Sequence, residues 1–229
     1  MDEAIENWRR LRSNGGRRVT IIDLYRLVAE PRGLLPHELP RSERLALARA
    51  AMPYVWAGFE VTAGTERDDP ITVVEYDSAW PARFNAWRGR IAGTLGKVAL
   101  RIDHVGSTAV LGLAAKPIVD IQVSVAALEA EAAYTPPLES LGLRLRSRDA
   151  LHRYFRPDAS LPRDVHVHVC AAGSDWELEH LRFRDLLRAS PDACERYAAA
   201  KREAVRLWAD DGWAYTDAKG AAILNILEA

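Results

Sequence analysis

Three groups of residues in this chain are of types, and at spacings, that could do chemistry: Gly106-Ser107, Asp120 and the pair His166-x-His168. In "HVGSTAVLGLAAKPIVDIQV" (104–123) an alternating apolar run ends at Val105 and enters the Gly-Ser pair. A short helix is expected over 108–113, Gly112 helps to reverse the chain, and Pro117 opens the next strand. A Gly-Ser turn at a helix N-terminus offers backbone N–H groups and a hydroxyl to an anion. Gly106, Ser107 and Thr108 are therefore expected to hold phosphate. On the following strand, period two puts Asp120, Gln122 and Ser124 on one face and Val119, Ile121 and Val123 on the other. Asp120 can then face the anion turn and hold Mg²⁺ against the phosphates. A carboxylate flanked by Ile118, Val119, Ile121 and Val123 is costly to bury unpaired. Its structural alternatives as partners are Lys116, Arg101 or a histidine.

In "DVHVHV" (164–169) His166 and His168 share one face, and Val165, Val167 and Val169 the other. Imidazoles are poor ligands for Mg²⁺ and better ones for Zn²⁺, Mn²⁺ or Fe²⁺. A second expectation is thus a transition-metal site of Asp120, His166 and His168, with His104 as a further candidate. The structural alternatives are a hydrogen-bonded His pair and, for His104, a core position continuing the alternation Val98, Leu100, Ile102. Lys219 in "YTDAKGAAIL" falls near the start of the final helical run, where acids are the usual preference. It calls for an anion, either a ligand phosphate or an internal carboxylate. Arg184 in "FRD" is either a phosphate ligand or half of a helix-surface pair with Arg188. Trp80, Trp87, Trp176, Trp208 and Trp213 stand at helical spacings and are expected in the core.

The elements that must position these residues follow from periodicity. "ITVVEY" (71–76), "KVALRIDHV", "KPIVDIQVSV", "LGLRLRS", "HRYFR" and "RDVHVHVC" read as strands. "SAWPARFNAWRGRIAGTLG" reads as a helix with Trp80, Phe84, Trp87 and Ile91 on one face, and the chain after residue 174 is helical. Strands in the middle and helices at both ends indicate an α+β fold with a mixed or antiparallel sheet. Residues 1–66 read as a helical N-terminal extension of three short helices, with Thr20 and Asp23 forming a cap. The polar segment 62–70 reads as a linker. The extension has little apolar surface of its own, so it is expected to pack on the main domain (71–229) or on a second copy, as in a homo-oligomer. A formal charge of −1 gives no global field for nucleic acid or membrane. There is no apolar leader and no run of about 18 apolar residues. Cys170 and Cys194 match no metal spacing, and a reduced, cytoplasmic chain is expected.

Beyond these derivations, "YDSAWPARF", "IDHVGSTAVLGLAAKPIVDIQV", "VHVHV", "FRDLLRASPDACERY" and "YTDAKGAAIL" together resemble the GrpB family over roughly residues 71–229. That domain is also fused behind some dephospho-CoA kinases. The Gly-Ser turn followed by an Asp strand is similar to the nucleotidyltransferase superfamily. The resemblance implies a nucleotidyltransferase-like sheet with flanking helices, and binding of a nucleotide or other phosphorylated small molecule. It leaves open whether Mg²⁺-dependent nucleotidyl transfer follows. In that pattern Asp120 takes the first carboxylate position, Gln122 stands at the second, and the third falls on "DVHVHV". Gln122 supplies no charge for a second metal. The alternative function is a catalytically silent scaffold or folding-assistant domain acting through protein partners.

Overall fold

The alternating run at 119–125 becomes a strand at the centre of the sheet, and the other elements are arranged about it. The structure is a computed structural model that describes residues 2–13, 19–55, 58–61 and 70–228. Three helices come first, α1 (Asp2–Ser13), α2 (Ile21–Ala29) and α3 (Arg41–Val55), followed by the two-residue strand β1 (Glu60–Val61). Helix α4 (Trp80–Leu95) precedes β2 (Arg101–Val105) and β3 (Val119–Val125). The short α5 (Thr135–Ser140) leads into β4 (Leu143–Arg148), β5 (His152–Pro157) and β6 (Val165–Ala171). Helices α6 (Asp175–Ala189), α7 (Pro191–Trp208), α8 (Gly212–Ala218) and α9 (Gly220–Leu227) follow. The α+β fold with a mixed sheet is as expected. The strand order is β1-β4-β5-β6-β3-β2, with β3 and β6 parallel and every other neighbour antiparallel.

The two sheet faces have different jobs. Val119, Ile121, Val123 and Val125 of β3 and Val165, Val167 and Val169 of β6 are buried against Trp80, Trp87, Ile91 and Leu95 of α4. Each such side chain contributes about 1.5–3 kcal/mol when fully removed from water. The opposite face of the same strands is polar, and α6 lies over part of it. Ser174 caps α6, and Glu177 of that helix accepts a hydrogen bond from the Ser124 hydroxyl.

The extension packs on the C-terminal helices: Trp8, Leu24, Tyr25, Leu47 and Met52 share a core with Trp208, Ala214 and Tyr215. The expected Thr20–Asp23 box caps α2. Asp217 in the last turn of α8 accepts from the Ile21 N–H at 2.5 Å. The fully buried Asp211 caps α8 through the N–H groups of Trp213 and Ala214, both at 3.1 Å. Its other oxygen accepts from the Tyr25 hydroxyl at 3.0 Å and from Arg44 Nε at 3.3 Å. Helix α8 is thereby tied to the N-terminal helices.

Three expected elements differ. Residues 71–76 form no strand and make a single bridge, Val74 to Ala115. Both edges of β3 are already taken by β2 and β6, and Pro117 beside the bridge has no N–H to extend it. The helix over 108–113 is instead a 3₁₀ turn, Ser107–Ala109, which ends where Val110 takes an extended backbone, and Gly112 with a positive φ of 77° then turns the chain. The final helical run breaks at Lys219 into α8 and α9, beside Gly220, a poor helix former. The linker expected at 62–70 falls almost entirely outside the described residues. Among the described residues no helix is long and apolar enough to cross a membrane.

The Arg44 contacts give a stability prediction. Arg44 is 3% exposed and its guanidinium also reaches Asp210 at 2.6 Å. Arg44→Met leaves Asp211 buried without its cation and should lower unfolding stability by about 3–5 kcal/mol in urea titrations. A loss below about 1 kcal/mol would show that this pair does not hold the extension to α8.

Candidate metal and phosphate site

The register of the central strands assembles the site. In the parallel pair, Asp120 lies opposite His166 and Gln122 opposite His168. In the antiparallel pair on the other side of β6, Tyr154 lies opposite His168 and His152 opposite Cys170. Side chains alternate, so Asp120, His166, His168, Tyr154 and His152 all project from the polar face. His166 Nδ1 is 3.2 Å from Asp120 Oδ1, and His168 Nε2 is 3.7 Å from the same oxygen. One ligand atom from each of the three residues lies within 4.8 Å of the other two. Donors about 2.0–2.1 Å from a tetrahedral ion stand roughly 3.3 Å apart. The set therefore needs only small side-chain adjustments to hold one.

Its protonation states also suit a metal. Burial pushes the Asp120 carboxyl up, but hydrogen bonds and charge from His166 and His168 outweigh it and hold the carboxyl well below the ordinary range. Burial pushes both imidazoles down, with Asp120 opposing. At neutral pH the site is an anionic carboxylate beside two neutral imidazoles, the state in which all three act as ligands. His166 Nε2 accepts from Arg163 Nε at 3.3 Å.

The Gly-Ser turn meets this group at Asp120. Gly106 has φ 68°, and a Cβ placed there would lie 2.6 Å from Asp120 Oδ2. Glycine is thus required twice, by the backbone and by the carboxylate. The turn closes through Ala109 N–H to Gly106 O and Val110 N–H to Ser107 O. The N–H groups of Ser107 and Thr108 meet no acceptor among the described residues, and neither does the Ser107 hydroxyl. These donors can serve an anion next to Asp120 without the helix that the sequence suggested. The Thr108 side chain is turned elsewhere: it is buried, and its hydroxyl lies 3.0 Å from His104 Nε2.

His104 projects from the opposite face, in register with Ile121, and its ring stacks on Phe84 at 4.6 Å. Burial lowers its pKa to about 4. It is a neutral core histidine rather than a fourth ligand. Gln122 is fully buried, with neither amide atom hydrogen-bonded among the described residues. Arg184 is engaged by its neighbour Asp185 at 2.8 Å and by the His104 carbonyl at 3.1 Å, and its pairing is not with Arg188.

Lys219 lies 4.5 Å from the centre of the Tyr215 ring, on which Lys116 Nζ also sits at 4.0 Å. The sequence offered Lys116 only as a structural partner for Asp120, and Arg163 was not singled out. At the other end of the site, Trp176 stacks between His180 at 3.7 Å and His152 at 5.0 Å, and Tyr154 stacks on His168 at 5.2 Å. Trp176 is half-buried in this column rather than in the core. Alternation in "HRYFR" was the signal that could have placed His152 and Tyr154 beside His168.

A carboxylate–imidazole cluster on the polar face of a mixed α+β sheet defines a candidate metal-binding domain, and the comparisons give it a family. The sequence model described as GrpB protein matches residues 70–229, and the chain belongs to the GrpB family. A UPF0157 protein of Halalkalibacterium halodurans is 39% identical over 175 residues, spanning 74% of this chain and 88% of that protein. A dephospho-CoA kinase of Mycolicibacterium paratuberculosis is 34% identical over 161 residues, spanning 59% of this chain and 40% of its own. The crystal structure of GrpB from Enterococcus faecalis superposes with a TM-score of 0.61 at 29% identity, covering 69% of this chain and 95% of that one. The family match begins at residue 70, so the three N-terminal helices lie outside it.

Gly106→Ala tests the contact between turn and carboxylate. The left-handed backbone and the 2.6 Å approach to Asp120 should together cost about 1–3 kcal/mol in urea unfolding. A variant as stable as the wild type would mean that the turn does not press on Asp120.

Proposed function

We propose that this protein binds a phosphorylated small molecule, a nucleotide in the first instance, through a divalent transition-metal ion held by Asp120, His166 and His168. The observation that carries this reading is the convergence of those three residues within 4.8 Å, beside a turn in which the Ser107 and Thr108 N–H groups meet no acceptor among the described residues. Two imidazoles and one carboxylate favour Zn²⁺, Mn²⁺ or Fe²⁺ over the Mg²⁺ expected from Asp120 alone. A bound ion would offset phosphate charge and polarise a phosphoryl oxygen. The chain's own residues would do the rest. Ser107 and the N–H groups of the turn would receive phosphate oxygens, and Lys219 would add positive charge. Nucleotidyl transfer by two metals is not part of this proposal, because Gln122 is neutral and buried where a second carboxylate would be needed.

Thermal-shift measurements on chain purified without a His tag test the proposal. Mn²⁺ or Zn²⁺ should raise the melting temperature more than Mg²⁺, and a nucleoside triphosphate should add a further rise only in the presence of the metal. Asp120→Asn should abolish both responses. Equal responses in wild type and variant, or none in either, would favour the silent scaffold acting through protein partners.

A further inference from the structure

Two lysines share one aromatic ring beside the candidate site, an arrangement that a bound anion would complete. Lys116 Nζ lies 4.0 Å and Lys219 Nζ 4.5 Å from the centre of the buried Tyr215 ring. A ring face attracts a cation, but two cations drawn to one ring repel each other. Neither lysine has a carboxylate within ion-pair distance among the described residues. The positive charge is denser still: Arg163 adds to it from the loop before β6, and Lys201 of α7 donates to the Ala114 carbonyl two residues before Lys116. Asp120 is the acidic group that Lys116 senses, and its Oδ1 is already shared by His166 and His168, while Oδ2 faces the Gly106 turn.

The lysines are also placed rather than loose. Lys116 sits where the Ala115–Val74 bridge ends and β3 is about to begin. Lys219 sits at the break between α8 and α9, and α8 is tied to the extension through Asp211 and Asp217. Fixed cations with no internal anion, next to free turn N–H groups and a candidate metal site, suit a ligand bearing more than one negative charge. We propose that Lys116 and Lys219, seated on Tyr215, form a clamp for the dianionic end of a phosphate monoester. The ligand would then be a molecule with a terminal phosphate and not a phosphodiester. This rests on the phosphate-binding function proposed above and narrows its substrate class.

The clamp carries a proton signature. Burial, with the charges of Lys219 and Arg163, lowers the Lys116 pKa to about 7, and Asp120 opposes the shift. At about pH 8 the Lys116 amine is then mostly neutral, whereas a phosphate monoester, with its second pKa near 6, is a dianion. Binding of the dianion favours the ammonium form, so a proton is taken up from solvent. Lys201, also lowered to about 7 by burial and by Lys219, is held on the Ala114 carbonyl and is not a member of the clamp.

Isothermal titration of the full chain with methyl phosphate at about pH 8, in two buffers of different ionisation enthalpy, reads this uptake. Wild type should take up close to one proton per methyl phosphate, and dimethyl phosphate should bind at least about tenfold more weakly. Lys116→Met should lose the uptake and weaken methyl phosphate binding by about tenfold or more. Lys116→Arg, which is charged at every pH, should restore affinity without the uptake. Uptake that persists in Lys116→Arg, equal affinity for the two esters, or no methyl phosphate binding in wild type would each overturn the clamp. Titration with Mn²⁺ alone separates this result from the metal proposal. An unchanged Mn²⁺ response in Lys116→Met sinks nothing but confirms a folded site, so the loss of phosphate binding is then the clamp's. A clamp that works without any Mn²⁺ response would sink the metal proposal alone.

Discussion

The parallel pairing of β3 with β6 is the constraint on which the rest depends. It fixes Asp120 opposite His166 and Gln122 opposite His168, and a slip of one residue would send all four side chains to the other face. The apolar face enforces the register. Val119, Ile121 and Val123 on one strand and Val165, Val167 and Val169 on the other are buried against the tryptophans of α4. Moving them into water would cost far more than any polar contact on the far side could return. The polar cluster is therefore carried by the core behind it rather than by its own attractions.

Around that register the supports lie in successive shells. The Gly106 turn abuts the Asp120 carboxylate so closely that no side chain fits between them. On the opposite flank, Trp176 and His152 hold the outer side of the His168 ring, and the Asp149 carboxylate lies 2.7 Å from His152 Nδ1. Further out, the N-terminal helices lean on α8 through Arg44, Tyr25 and the α2 N-terminus, and α8 carries Tyr215. The segment outside the family match thus reaches, through one helix, the ring that seats Lys116 and Lys219.

Much of this was legible in the sequence, because alternation in a strand is a local property. The runs around Asp120 and around His166 and His168 assigned each side chain to a face, and those faces are the ones observed. Which strands become neighbours is not local. Nothing in "VDIQV" or "VHVHV" states that they pair in parallel, or that Asp120 meets both histidines. The resemblance to a known family supplied that proximity. His104 shows the reverse case: period two from Val98 placed it among core positions, and its stacking on Phe84 follows. Residues 71–76 have the β-branched pattern of a strand but form none, because a strand also needs a free edge and β3 has none to offer. Lys116 was underrated because its ring partner, Tyr215, lies far away in the chain.

The central claim is that Asp120, His166 and His168 together hold one transition-metal ion, and X-ray absorption at the metal edge tests it most directly. Protein loaded with one equivalent of Zn²⁺ should show a first shell that includes two imidazole nitrogens and a carboxylate oxygen at about 2.0–2.2 Å. The imidazole scattering should fall by half in His168→Ala. A shell of oxygen alone, or a spectrum that His168→Ala leaves unchanged, would contradict the account.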